Sequence, residues 1–314
     1  MNMRIQNQPI IRKLLYSLIP IVLFSVYLFG LQVLIILLVS NLSAYLTEYL
    51  FIRNKPNGKV TLSVIATGTL LGLSLPPTIP ILIAALGSFI AIAFGKMVFG
   101  GYGTNLFNPA LVGRTFIYVS FPRQMTISWV KPFTEFPGGF LSYTPPASMK
   151  TSATILSHFR NTGELLYPIK DAFLGLKSGS MGETSALLLL ICAIYLIMSK
   201  TASWKPMVGT ALSMLFFNFL FFPHINPLYF LVSGGAMFGI VYFVTEPVTL
   251  PKGKAAVWIY GILIGFLAVF IRAKSLFYEG FMFAVLMANS FMPIIEYVLN
   301  SLTKKSAEKK VQNG

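Results

Sequence analysis

The chain has 314 residues, 55% of them apolar and 11% charged, with a mean hydropathy of +0.75. That profile excludes a soluble domain and reads as a polytopic protein of the lipid bilayer. The formal net charge of +15 invites a nucleic-acid reading, but the basic residues stand between apolar runs, so no nucleic-acid partner is expected. A single Cys192 excludes a disulfide framework or thiolate cluster, and two distant histidines, His158 and His224, argue against a haem or histidine-bound metal.

Arg4, Arg12 and Lys13 precede Leu14 without a following small-residue cleavage site, so the first span is expected to be retained. Leu14 to Thr47 runs 34 residues without a charge. One membrane helix takes about 20 residues, so Gly30-Leu31-Gln32 is the natural break. Ten spans follow, at 14–29, 32–52, 60–76, 80–99, 105–121, 184–200, 205–222, 227–245, 256–272 and 280–300. Pro76-Pro77-Thr78-Ile79-Pro80 and Pro247-Val248-Thr249-Leu250-Pro251 lie 171 residues apart, each eight residues beyond a glycine, Gly68 or Gly239. Pro-broken helices paired between two halves of a membrane protein point to a central site at a repeat interface.

With both termini cytoplasmic, the short cytoplasmic segments carry fifteen basic residues, Lys96 among them, and the short external loops carry two, Arg272 and Lys274. This bias sets the orientation and leaves 122–183 outside. Five spans separate the two breaks, an odd number, so the repeats are expected to be inverted. The chain divides into a first five-helix repeat (1–121), an external segment (122–183), a second five-helix repeat (184–300) and a basic cytoplasmic tail (301–314).

The densest motif runs from Gly100 to Arg114. Its glycines, Gly101 included, permit close backbone approach. Asn105 and Asn108 suggest a re-entrant or broken helix, tolerated at membrane depth only against protein or a cavity. Either a tight packing joint or a cofactor- or ion-lining role fits. Glu246 places a carboxyl group at the second Pro break, and an intramembrane acid is a functional candidate by default. Glu296 is the weaker candidate for an ion route. Glu48 ends span two, and Glu279 lies at the start of span ten. Arg114 and Arg272 read as neutralising partners of such acids. Gly179 to Ser185 reads as the capped start of span six, with amides that could also hold an anionic group. The external segment holds no nucleophile–base–acid triad and no metal-ligand spacing. These residues allow a channel, a carrier or a redox subunit.

The runs GGYGTNLFNPALVGRTFIYVSFP (Gly100 to Pro122), GSMGETSALLLL (Gly179 to Leu190), TEPVTLPKGK (Thr245 to Lys254) and YEGFMFAVLMANSFMPIIEY (Tyr278 to Tyr297) occur in one order along nearly the whole chain. They resemble the family of the D subunit of the Rnf ion-translocating electron-transport complex and the homologous B subunit of the sodium-pumping NADH:quinone oxidoreductase; the chain's length is nearer the D subunit's. The resemblance implies an all-α polytopic fold of ten transmembrane helices in two inverted repeats, like urea and ammonium channels, in a prokaryotic cytoplasmic (inner) membrane. It implies a flavin mononucleotide (FMN) joined through its phosphate to a threonine of the external segment, attached by a flavin transferase. The motif Ser/Thr-Gly-Ala-Thr corresponds to Thr151-Ser152-Ala153-Thr154, placing the acceptor on Thr154, with Ser152 where the family has glycine. Thr151 and Ser152 are the alternative acceptors. A second, non-covalent flavin (riboflavin) is placed by the resemblance near Gly101, Asn105 and Asn108. The implied partners are the other subunits of an Rnf-type complex, including a second covalent-flavin subunit. The implied function is electron transfer between ferredoxin and NAD⁺ coupled to Na⁺ or H⁺ movement, with the quinone-reducing relative or a small-solute channel as alternatives.

Overall fold

The computed structural model describes residues 6, 8–55, 58–126, 129–133, 138–140, 143, 151–152, 167–183, 185–275 and 280–312. The fold is helical, with one two-residue β pair among the described residues. Helix α1 spans Pro9–Phe29 and α2 spans Gln32–Ile52. The long apolar run therefore divides at the expected break. Gly30 adopts φ +83°, and its N–H closes α1 on Val26 O at 2.8 Å, a conformation in which a Cβ would be strained.

The third and fourth spans are shorter than expected. Helix α3 covers Ser63–Leu73, and α4 covers Ile81–Ile92 and continues as a π turn, Ala93–Met97. Between them Pro76, Pro77 and Pro80 withhold backbone donors. Helix α5 starts at Pro109 rather than 105, because the Asn108 side chain caps it by accepting from Leu111 N at 3.3 Å. A short α6 (Pro122–Thr126) leads to β1 (Trp129–Val130), which pairs antiparallel with β2 (Thr151–Ser152). The proposed flavin acceptor Thr154 lies outside the described residues.

Helix α7 covers Ile169–Leu174, α8 Ala186–Met198 and α9 Trp204–Phe221. Span eight is interrupted internally. Helix α10 (Pro227–Val232) stops at Ser233-Gly234-Gly235, with Gly234 at φ +58°, and resumes as α11 (Ala236–Phe238) and a second π turn, Gly239–Phe243. The break in the second half is thus at Ser233–Gly235, and the Pro247 run forms the loop from the π turn to α12 (Lys254–Lys274). The two Pro runs therefore occupy unlike positions in the fold. Helix α13 runs from Gly280 to Gln312. The segment taken as a separate tail continues the helix because neither Pro nor Gly interrupts it between Asn300 and Gln312.

Among the described residues, four helices are long and apolar enough to cross a membrane: α1, α2, α12 and the Gly280–Thr303 part of α13. Ser63–Leu73, Ile81–Met97 and Ala186–Met198 are shorter apolar helices. Helix α9 packs closely on α12. A Cβ at Gly265 would stand 2.6 Å from Ser213 Cβ, so small residues set this backbone approach.

Both helix breaks are filled by one segment between α7 and α8. Met181 N donates to Leu75 O at 3.1 Å and Gly182 N to Leu73 O at 2.7 Å. Ser25 Oγ donates to Met181 O at 2.5 Å. At the second break Lys177 Nζ donates to Val232 O, while Arg272 donates to Phe230 O at 2.9 Å and Ser233 O at 3.3 Å. Glu183 binds Arg114 Nη1 at 2.6 Å with both side chains buried, so Arg114 neutralises an acid as expected. Arg272 serves the broken backbone. Ser185, accepting from Leu188 N at 3.3 Å, is the cap of α8, and Gly179 to Glu183 is a plug rather than a helix start.

Breaking a buried ion pair from one side costs about 3–5 kcal/mol, whereas replacing both partners by apolar groups is close to neutral. Glu183→Gln is therefore expected to lower the thermal midpoint in detergent strongly. The Glu183→Met/Arg114→Met double variant should recover most of that loss, as read by thermal unfolding.

Candidate functional site

A cleft opens where five parts of the chain converge. The first turns of α1 contribute Ile11 and Leu14, the start of α3 contributes Ser63 and Thr67, and the π turn of α4 contributes Lys96. Tyr102, Asn105 and Asn108 come from the loop before α5; Tyr242, Glu246 and Pro247 come from the second π turn and the loop after it. Two loops far apart in sequence thus face one another across the cleft. The π turns that precede them each insert an extra residue into a helix, a distortion common at functional sites.

The acid and the amides predicted from sequence meet here. Asn105 Nδ2 donates to Glu246 Oε1 at 3.3 Å and to Phe107 O at 3.1 Å, while Thr249 Oγ1 donates to Glu246 Oε2 at 3.1 Å. Asn105 and Asn108 are buried; Glu246 is half-buried. Because the Asn108 Oδ1 caps α5, its amide NH₂ is the part left to face Glu246. The carboxylate is held by neutral donors, so its charge is oriented and left uncancelled by these contacts.

Beside Glu246 stands a fully buried ion pair. Lys96 Nζ donates to Glu48 Oε2 at 2.6 Å, to Thr61 Oγ1 at 2.6 Å and to Ser63 Oγ at 2.8 Å. All three ammonium protons are used. Glu48 Oε1 in turn accepts from Thr61 N at 3.0 Å and Thr61 Oγ1 at 2.9 Å. The ammonium also lies 6.0 Å from the centre of the Tyr102 ring.

Other predicted residues lie elsewhere. Gly101 does not line the cleft. Its N–H donates to Lys96 O at 3.1 Å with φ +114°, so it closes the π turn. Glu296 Oε1 accepts from Lys252 N at 2.7 Å and Gly253 N at 3.5 Å, capping the N-terminus of α12 from the neighbouring helix. Thr154 and Glu279 fall outside the described residues. The sequence reading missed the Glu48–Lys96 pair, counting Lys96 as a cytoplasmic loop charge. The available signal was an acid and a base each set beside long apolar runs, where unpaired charge is costly.

Compared with known proteins, residues 1–304 match the family described as NQR2, RnfD, RnfE. The D subunit of the proton-translocating ferredoxin:NAD(+) oxidoreductase complex of Clostridium ljungdahlii is 35% identical over 89% of this chain and 86% of its own length. The B subunits of the Na(+)-translocating NADH-quinone reductases of Pseudomonas paraeruginosa and Yersinia pestis are each 36% identical over 74% of this chain. The match spans 58% of the length of those two relatives.

The capping geometry gives an expectation for Glu296. Removing a cap costs about 1 kcal/mol, so Glu296→Ala should lower the thermal midpoint by a few degrees. Tyr297→Ala, on the same turn and 75% exposed, should leave it unchanged in the same detergent assay.

Proposed function

The chain belongs to the NQR2, RnfD, RnfE family, and from that premise we propose that it is a flavin-carrying membrane subunit of an ion-translocating ferredoxin:NAD⁺ oxidoreductase. It passes electrons within the complex and couples them to movement of Na⁺ or H⁺. The observation that carries this reading is the match to the Clostridium ljungdahlii D subunit along 89% of this chain and 86% of that one. The second reading, the B subunit of a sodium-translocating NADH:quinone reductase, is favoured by an identity of 36% to those relatives. Membranes from cells lacking the chain distinguish the two: loss of ferredoxin-dependent NAD⁺ reduction supports the first, loss of NADH-dependent quinone reduction the second.

The proposed architecture is ten spans in two inverted halves, in a prokaryotic inner membrane with both termini cytoplasmic. Its support is the charge bias and the presence of a helix break in each half, between the third and fourth spans at Ser74–Pro80 and within the eighth span at Ser233–Gly235. The external segment carries FMN on Thr154, attached by a flavin transferase. Flavin supplies one- and two-electron chemistry; the chain supplies position and electrostatics. The β pair anchors the chain at Thr151 and Ser152 against Trp129 and Val130, two residues short of the acceptor. A second flavin is assigned to the cleft, where Tyr102 and Tyr242 offer ring surface. The remaining complex subunits, including a second covalent-flavin subunit, are the partners. Glu246 stands on the ion route, held by Asn105 and Thr249 and facing the cleft.

Thr154→Val is expected to abolish flavin fluorescence of the denatured chain in a gel while the complex still assembles. Undiminished fluorescence would move the acceptor to Thr151 or Ser152. Glu246→Gln keeps the shape of the side chain and removes its charge. In the assembled complex it is expected to leave electron flow running with ion transport lost from it, measured by Na⁺ uptake or acidification in vesicles. Cysteines at Ser142 and Ser306 should label from opposite sides of the membrane.

A further inference from the structure

The Lys96 ammonium sits in a nest of oxygen atoms that is itself suited to a small cation. Glu48 supplies a carboxylate oxygen at 2.6 Å, Thr61 a hydroxyl at 2.6 Å and Ser63 a hydroxyl at 2.8 Å. One carboxylate and two hydroxyls are hard oxygen ligands that alkali cations accept in place of water. The nest is drawn from the last turns of α2, the start of α3 and the turn just before it, and Lys96 enters from the π turn of α4. Ser63 and Lys96 both line the cleft that holds Glu246. The ammonium therefore stands between a buried acid behind it and a second acid in front of it.

We propose that Glu48, Thr61 and Ser63 form a monovalent-cation site which the Lys96 ammonium fills in this structure, and that a metal cation arriving through the cleft displaces it. Entry of a metal cation completes the charge balance of the site. With the ammonium in the nest, Glu48 is neutralised and Glu246 keeps its charge. With a metal cation in the nest, the displaced ammonium turns to Glu246, and the pair of carboxylates meets a pair of cations. A buried ion pair whose only task is to join helices gains little over an apolar replacement; an ammonium on a flexible four-carbon stem beside a second carboxylate is suited to changing partner. Lys96 is thus a tethered competitor that sets how much free cation is needed to enter. The direction of entry rests on the reading of Glu246 as an ion-route acid; the site itself does not.

The test uses the full-length chain in detergent, with thermal unfolding in Na⁺ titrated against choline at constant ionic strength. Lys96→Met removes the competitor and leaves the acid. Its midpoint is expected to rise with Na⁺ and saturate, at a concentration about ten-fold below that required by the wild type, since the tethered ammonium no longer competes. Glu48→Gln in the Lys96→Met background should remove the response. A purely structural pair predicts the opposite pattern: the neutral double variant stable, and no Na⁺ dependence in either. If Lys96→Met aggregates in choline, recovery in Na⁺ supports the site; aggregation in both salts beside a well-behaved double variant overturns it. Glu246→Gln separates the two readings. A Na⁺ response that survives it in the Lys96→Met background upholds the nest, even where transport assays reject Glu246 as the ion route.

Discussion

A backbone carbonyl freed by a broken helix inside a bilayer has no water to bind, and each one left unpaired costs several kcal/mol. This constraint organises the molecule. Among the described residues there are two such breaks, after Leu73 and after Val232, and a single segment from Lys177 to Glu183 meets both. It serves the first with two backbone amides and the second with a lysine, Arg272 adding two further bonds from α12. Glu183 then holds Arg114 of α5, so the plug is tied to the first half of the chain by charge and hydrogen bonds and to the second by hydrogen bonds. Short helices are tolerated because their open ends point at one another's partners.

The same economy explains the cleft. Each π turn ends a helix early and throws the following loop sideways, so that Tyr102, Asn105 and Asn108 come to face Glu246 and Pro247. Asn108 serves two ends at once, capping α5 with its oxygen and leaving its nitrogen to the cleft. The result is a polar wall built from residues that also close helix termini. Substitutions here therefore affect both local folding and the cleft, and readouts of stability and of transport have to be taken side by side.

Local signals were legible in the sequence where one residue decides the structure. Gly30 ends α1 and divides a charge-free run; Asn105, Asn108 and Glu246 stand out singly as polar residues in an apolar chain, and all three line the cleft. What was not legible depended on distance. Nothing local distinguishes Pro76–Pro80, which opens a helix break, from Pro247–Pro251, which shapes a loop, because proline withholds a donor in both. The second break, at Ser233–Gly235, was hidden inside an apolar run because glycine and serine are common within membrane helices. Glu296 carries the same charge as Glu246 yet caps α12, a role fixed by the packing of α13 beside it. Lys96 and Glu48 lie 48 residues apart, and only the fold brings them together.

Lys96 shows how a topology argument and a chemical one can use the same residue differently. Counting positive charge assumes that each lysine stands in water at a helix end. Lys96 is 2% exposed and spends its three protons on Glu48, Thr61 and Ser63. Removing it leaves fourteen basic residues against two, so the orientation bias survives unchanged. Its charge is then free to be read for its chemistry. In a cleft that Glu246 also lines, a buried cation with every proton satisfied neutralises Glu48 and forms no salt bridge with Glu246. Whatever enters the cleft therefore meets a carboxyl group held in place by two neutral side chains, Asn105 and Thr249, rather than by a salt bridge.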